Sequence, residues 1–143
     1  MITITIPGKP IAKKRPRFAR RGKYVTTYNE QETEEGKALL SVREQMDNKT
    51  ITAKPLMIHA RFVFPRPKGH FGTGRNLDQL KTTAPVYHTT KPDVDNCVKF
   101  ILDICNGEVW QDDTQVVSLL AEKRYCRPDE SPHTEIMLKG VES

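Results

Sequence analysis

The fold turns on one stretch, KPDVDNCVKFILDICNGEVWQDDTQVVSLLAEKRYC from Lys91 to Cys126, because the apolar period changes once inside it. After Pro92, the residues Val94, Val98, Ile101, Leu102 and Cys105 fall at i, i+4, i+7, i+8 and i+11, the stripe of a helix with one face in a core. Asn106-Gly107 supplies its stop. Gln115 to Cys126 then reads as a long strand, with Val116, Ser118 and Leu120 on one face and Val117, Leu119 and Ala121 on the other. An apolar start on both faces predicts a central place in a sheet.

Working outward, residues 1–6 alternate Ile2, Ile4 and Ile6 with Thr3 and Thr5, the period of a half-buried strand that Pro7-Gly8 ends. Leu56 to Phe64 alternates in the same way, with Leu56, Ile58, Ala60, Phe62 and Phe64 on one side and Pro65 and Pro67 as stops. Between them Asn29 is placed to cap a helix running to about Met46, with Glu30 and Glu32 in its first turn and Ala38, Leu39, Val42 and Met46 facing the core. Residues 9–28 are basic, carry Pro10 and Pro16 and keep no period, which predicts a surface loop or arm. Residues 65–90 form a second long loop; its Gly72-Thr73-Gly74 matches no phosphate-loop pattern and reads as a linker. A last short strand is expected over Thr134 to Leu138. The expected fold class is α+β, a mixed β-sheet with two main helices in a single small domain over residues 1–143, with a basic arm at 8–28 and a basic loop at 65–90.

The net charge is +5, but its distribution is uneven. Residues 1–29 hold eight Lys and Arg and no acid, and residues 61–91 hold six against Asp78 alone, so the remainder of the chain is net negative. Two basic segments around an acidic patch suit a protein that grips a polyanion by its phosphates and keeps carboxylates for another purpose; a solvated basic surface is the competing reading. No run approaches the length of a membrane span, and Met1 leads directly into a strand pattern, so an intracellular protein without a membrane partner is expected. Cys97, Cys105 and Cys126 are odd in number and lack CxxC spacing, which argues against both disulfides and structural zinc.

The acids carry the chemistry. Asp95, Lys99 and Asp103 recur every four residues on one helix face, Asp93 stands at the helix start, and Asp112-Asp113 precede the following strand. If helix and strand pack as neighbours, the strand start brings a third carboxylate near Asp93 and Asp95. Three converging carboxylates repel one another unless a cation sits among them, and oxygen-only ligation points to magnesium, with manganese as a substitute. Such a centre suits phosphodiester hydrolysis, with Lys99 placed to offset charge on the scissile phosphate. The plainer alternative makes Asp93 an N-cap, Asp95-Lys99 a surface pair and Asp112-Asp113 a turn in a non-catalytic nucleic-acid-binding protein. An EF-hand is excluded, because the sixth and twelfth positions counted from Asp93 are Val98 and Ile104. His59, His70, His88 and His133 show no ligand spacing.

The run Lys-Pro-Asp-Val-Asp-Asn-x-x-Lys-x-x-x-Asp, then Asn-Gly, then Asp-Asp-x-Gln-Val, resembles the signature of RusA-type Holliday junction resolvases, and Gly-Lys-Pro-x-x-Lys-Lys-Arg-Pro-Arg-Phe resembles the opening of that family; the matches span residues 8–18 and 91–116. The resemblance implies metal-binding aspartates at Asp93, Asp95 and Asp113 and an essential lysine at Lys99. It implies a magnesium-dependent homodimer, phage- or prophage-encoded and acting in the bacterial cytoplasm, that cuts four-way junctions symmetrically in recombination and repair. DNA contacts are then expected from Lys13, Lys14, Arg15, Arg17, Lys91 and the 66–81 loop. A nuclease for flaps or forks is the near alternative.

Overall fold

A computed structural model describes residues 1–13, 17–21, 24–28 and 32–142, with side chains at 1–13 and 33–142. The main sheet has four strands, β1 (Ile2–Pro7), β4 (Leu56–Phe64), β5 (Val116–Tyr125) and β6 (His133–Gly140), in the order β1-β6-β4-β5. β1 and β4 flank β6 antiparallel, while β4 and β5 run parallel. The sheet is therefore mixed, as expected. A parallel pair needs a crossover, and the crossover here is residues 65–115, which contain helix α2 (Val94–Cys105).

Helix α1 (Glu32–Gln45) and α2 lie on one face of the sheet. The core between them is the predicted side of β4, namely Leu56, Ile58, Ala60, Phe62 and Phe64, closed by Ile4 and Ile6 of β1 and by Ile136 and Leu138 of β6. Each such aliphatic or aromatic side chain stabilises the fold by about 1.5–3 kcal/mol relative to exposure. Ala38, Val42 and Met46 of α1 are buried and Leu39 partly so, as the periodicity indicated. The expected Asn29 cap lies outside the described residues. The opposite face of the sheet, over which no helix lies among the described residues, carries Arg61, which reaches Glu122 and Glu135 of its neighbouring strands at 2.9 and 3.6 Å.

Three expectations need correction. Residues 9–28 are not all loop, because β2 (Arg17–Arg21) pairs antiparallel with β3 (Tyr24–Tyr28) in a separate two-stranded sheet. Tyr-Val-Thr-Thr-Tyr is rich in aromatic and β-branched residues, which favour strand even where no polar alternation marks it. The buried stripe of α2 is Cys97, Phe100, Ile101, Ile104 and Cys105, whereas Val94 is 39% exposed. α2 packs against both α1 and the sheet, so its buried arc is rotated away from the sparser stripe read from the sequence. Finally, β5 is an edge strand and not a central one, with Val117, Leu119 and Leu120 left exposed at 63%, 42% and 61%.

Candidate active site

Asp93 is the N-cap residue of α2, in extended conformation, and its side chain makes no cap hydrogen bond. Asp95 lies in the first turn, and both carboxylates are exposed. Both act on the same buried group: the Cys97 thiol is pushed up to about 11, chiefly by burial, with Lys123 opposing and Asp93 and Asp95 adding to the shift. Carboxylates at this end of a helix are favoured by its dipole. Lys99 follows Asp95 by one turn on the exposed side of α2.

The segment leading into Asp93 is anchored by a residue the sequence reading passed over. Lys123 of β5 points its ammonium at the carbonyls of Thr90 and Pro92, at 2.7 and 2.6 Å, and sits 3.2 Å from His88 Nδ1. Burial first and then the Lys123 charge hold the His88 imidazole below its ordinary pKa. His88 also stacks on Phe64 with ring centroids 3.8 Å apart, which ties the loop to the core. Lys123 is a basic residue inside a strand, and no sequence pattern marks it as an anchor.

A cleft of about 630 Å³ opens between residues 9–13 and the start of α2. Lys9, Lys13 and Lys91 stand on its walls with Asp93. The backbone N–H of Lys13 donates to the Asn96 carbonyl at 3.0 Å, so the N-terminal segment is docked directly on α2. The Lys13 ammonium meets Asp103 at 2.8 Å, and that carboxylate raises its pKa. Of the other expected DNA contacts, Lys91 is exposed beside Asp93, whereas Lys14, Arg15 and the Arg17 side chain lie outside the described residues. The 66–81 loop is held near β5 by Arg66, which donates to the carbonyls of Cys126 and Pro85, both at 2.7 Å, and lies over the Tyr125 ring.

Asp113 is elsewhere. Its backbone N–H donates to Asn106 Oδ1 at 3.0 Å, and its Oδ1 accepts from the indole N–H of Trp110 at 2.8 Å. Asn106 is the C-cap of α2, so the helix separates Asp113 from Asp93. Twelve residues at about 1.5 Å each make that separation about 18 Å. The expected convergence of the three aspartates does not occur within one chain, and among the described residues no three His, Cys, Asp or Glu side chains group to hold an ion. The cause is topological: β4 and β5 are parallel, so the chain must run the length of α2 before β5 starts. The two neighbouring acids are also distinguished. Asp112 is a turn cap, accepting from Thr114 N at 3.2 Å and donating its N–H to Gln115 Oε1 at 2.8 Å, while Asp113 is half-buried against Trp110. Trp110 and Asn106 are the orienting residues that the sequence reading missed, although Trp110 is the one tryptophan of the chain and stands three residues from Asp113.

For a hard divalent cation, Asp93 and Asp95 are a suitable donor pair, since magnesium takes one or two carboxylates and keeps several waters. Asp113 does not fit the same ion from its own chain.

Two comparisons bear on this arrangement. The chain is similar to the uncharacterised protein YqaN of Bacillus subtilis (strain 168), 31% identical over 141 residues, covering 98% of this chain and 96% of that protein. The family profile Endodeoxyribonuclease RusA matches residues 7–139, which take in the basic cleft, Asp93, Asp95, Lys99 and Asp113. The chain belongs to the RusA endodeoxyribonuclease family.

Proposed function

We propose that the protein is a magnesium-dependent, structure-specific endodeoxyribonuclease that resolves four-way DNA junctions by nicking two opposed strands, acting as a homodimer in recombination and repair in the bacterial cytoplasm. The observation that carries this reading is the pair Asp93 and Asp95, exposed at the start of α2, with Asp93 on the wall of a cleft that Lys9, Lys13 and Lys91 also line, in a chain of the RusA family. The lysines bind phosphates and set the register of the DNA without reading bases. Asp93 and Asp95 would hold the ion, which when bound polarises a phosphoryl oxygen and lowers the pKa of a bound water. Lys99, one turn along from Asp95, offsets charge on the phosphate being cut. Lys123 keeps Asp93 in place by fixing the Thr90 and Pro92 carbonyls ahead of it.

The test offers the purified protein four-way junctions, flaps and linear duplex with magnesium. Preferential cutting of the junction at paired, opposed sites is expected. Equal cutting of all three rejects junction resolution, and preference for flaps or forks transfers the same carboxylates to another branched substrate.

A further inference from the structure

We infer that the hairpin of residues 70–81 is a branch-sensing element, in which Leu77 enters the break in base stacking at a DNA branch point and Arg75 holds a phosphate beside it. The inference rests on the reading above for a branched DNA substrate and adds the residue that selects the branch. The Gly72-Thr73-Gly74 run, a linker by its sequence, is part of a closed turn. Phe71 bridges Leu80 antiparallel, and Gly72 N–H donates to the Gln79 carbonyl and Lys81 N–H to the His70 carbonyl, both at 2.9 Å. At the tip, the N–H groups of Asn76, Leu77 and Gln79 donate to the carbonyls of Thr73, Gly74 and Asn76. A Cβ on Gly72 would stand 2.6 Å from Asn76 Cβ and 2.7 Å from the Asn76 carbonyl oxygen, so glycine is what lets the two arms close this tightly.

A turn bonded in this way holds a shape, yet it buries nothing. Residues 73–79 are all exposed, and Leu77, exposed at 63%, joins no core cluster among the described residues. Ordered loops of this length without a core of their own are usually functional. The hairpin also stands at the end of the fold where Asp93 is held. At its base the His70 ring meets the Tyr125 ring edge-on, with centroids 4.7 Å apart, and Tyr125 meets His88 at 5.1 Å. His88 adjoins the Lys123 ammonium, which reaches the Pro92 carbonyl immediately before Asp93. The same end of β5 therefore carries both the hairpin and the start of α2. Arg75 lies two residues from Leu77 on the exposed tip. An aliphatic side chain gains nothing from the phosphates of a linear duplex, and forcing its stacked bases apart has a cost. At a branch point the stack is already interrupted, so the cost falls and the apolar surface of Leu77 is covered. Leu77 thus discriminates by shape, while Arg75 adds affinity whatever the sequence.

The test places 2-aminopurine at the branch point of a four-way junction, at that of a flap, and at the matching position of a linear duplex, and adds the full chain in EDTA so that nothing is cut. The parent is expected to raise the fluorescence of the branch-point base at least about threefold and to leave the duplex probe unchanged, because an unstacked base is less quenched. Leu77→Ala alters a side chain outside the core, so it should melt with the parent. It should lose the fluorescence rise, and its binding ratio of junction over duplex should fall at least about tenfold. Leu77→Met returns an apolar side chain of similar size and is expected to restore both. Arg75→Ala should weaken junction and duplex alike and lower the salt slope of binding by about one, with the ratio kept. A Leu77→Ala protein that keeps the rise and the ratio overturns the inference, as does one that weakens junction and duplex equally. An Arg75→Ala protein with the parent's salt slope refutes the phosphate contact. If the parent prefers junctions and Leu77→Ala changes nothing, only the hairpin's role falls. If the parent prefers flaps and Leu77→Ala removes the rise at the flap branch, only the junction reading falls. A parent with neither a branch preference nor a rise sinks both.

Discussion

Replacing Lys123 with methionine tests how the strand edge holds the loop in front of Asp93. The methionine keeps most of the stem beside Phe64, over whose ring the ammonium lies at 6.0 Å, and removes the contacts to Thr90 O and Pro92 O. Hydrogen bonds from a charged donor contribute about 1.5–3 kcal/mol each, and loss of the partly buried charge returns part of that as relief of desolvation. The net destabilisation is therefore about 2–3 kcal/mol. At about 3 °C per kcal/mol for a chain of this size, scanning calorimetry is expected to show a melting temperature lower by about 6–9 °C. A second readout separates loss of the charge from general loosening. Lys123 is the second cause holding the His88 imidazole down, after burial, so the His88 pKa followed by NMR rises in the variant yet stays below the ordinary histidine value. Melting within a degree of the parent, or an unmoved His88 titration, would show that the ammonium does not hold this loop.

Two further outcomes follow from side chains away from the cleft. Glu130 grips Arg124 at 2.6 and 2.8 Å, and this contact, ahead of the opposing cost of burial, holds its carboxyl at about 2 against an ordinary 4.5. The folded value is depressed, so its contribution is complete above about pH 4.5 and fades as pH falls through about 2; Glu130→Gln is expected to cost about 2 kcal/mol at pH 7 by urea unfolding, and the gap to the parent should close towards pH 2. Burial raises the thiols of Cys97 to about 11 and Cys105 to about 12, so at pH 8 their thiolate fractions are about a thousandth or less, and a colorimetric thiol reagent should titrate them only after denaturant is added.

The elements legible in the sequence are those with hard punctuation. β4 was readable to the residue because strict alternation ends at Pro65, and α2 because Pro92 and Asn106-Gly107 bracket a helical period; Gly107 indeed takes a positive φ of 78° just past the helix. The β2–β3 hairpin was not readable, since Tyr24–Tyr28 lacks the polar alternation that marks a half-buried strand. For β5 the composition was read correctly and its place was not. Two-sided apolar character predicts cover on both sides, yet β5 lies at the sheet edge with Val117, Leu119 and Leu120 exposed, because apolar content alone does not fix a strand's position in the sheet order. The site divides along the same line. Asp93 and Asp95 are local to one helix start, and their adjacency follows from spacing alone. Bringing Asp113 to them required neighbouring elements to meet at the same end, and a parallel crossover places them at opposite ends instead.

The central claim is that the acids at the start of α2 perform the cleavage while the basic walls of the cleft hold the DNA. Asp95→Asn, measured side by side for junction binding and for magnesium-dependent cutting, tests it most directly. Binding equal to or tighter than the parent is predicted, because a negative charge near phosphates is removed, together with loss of cutting by at least about a hundredfold. An Asp95→Asn protein that cuts junctions at the parent rate would contradict it.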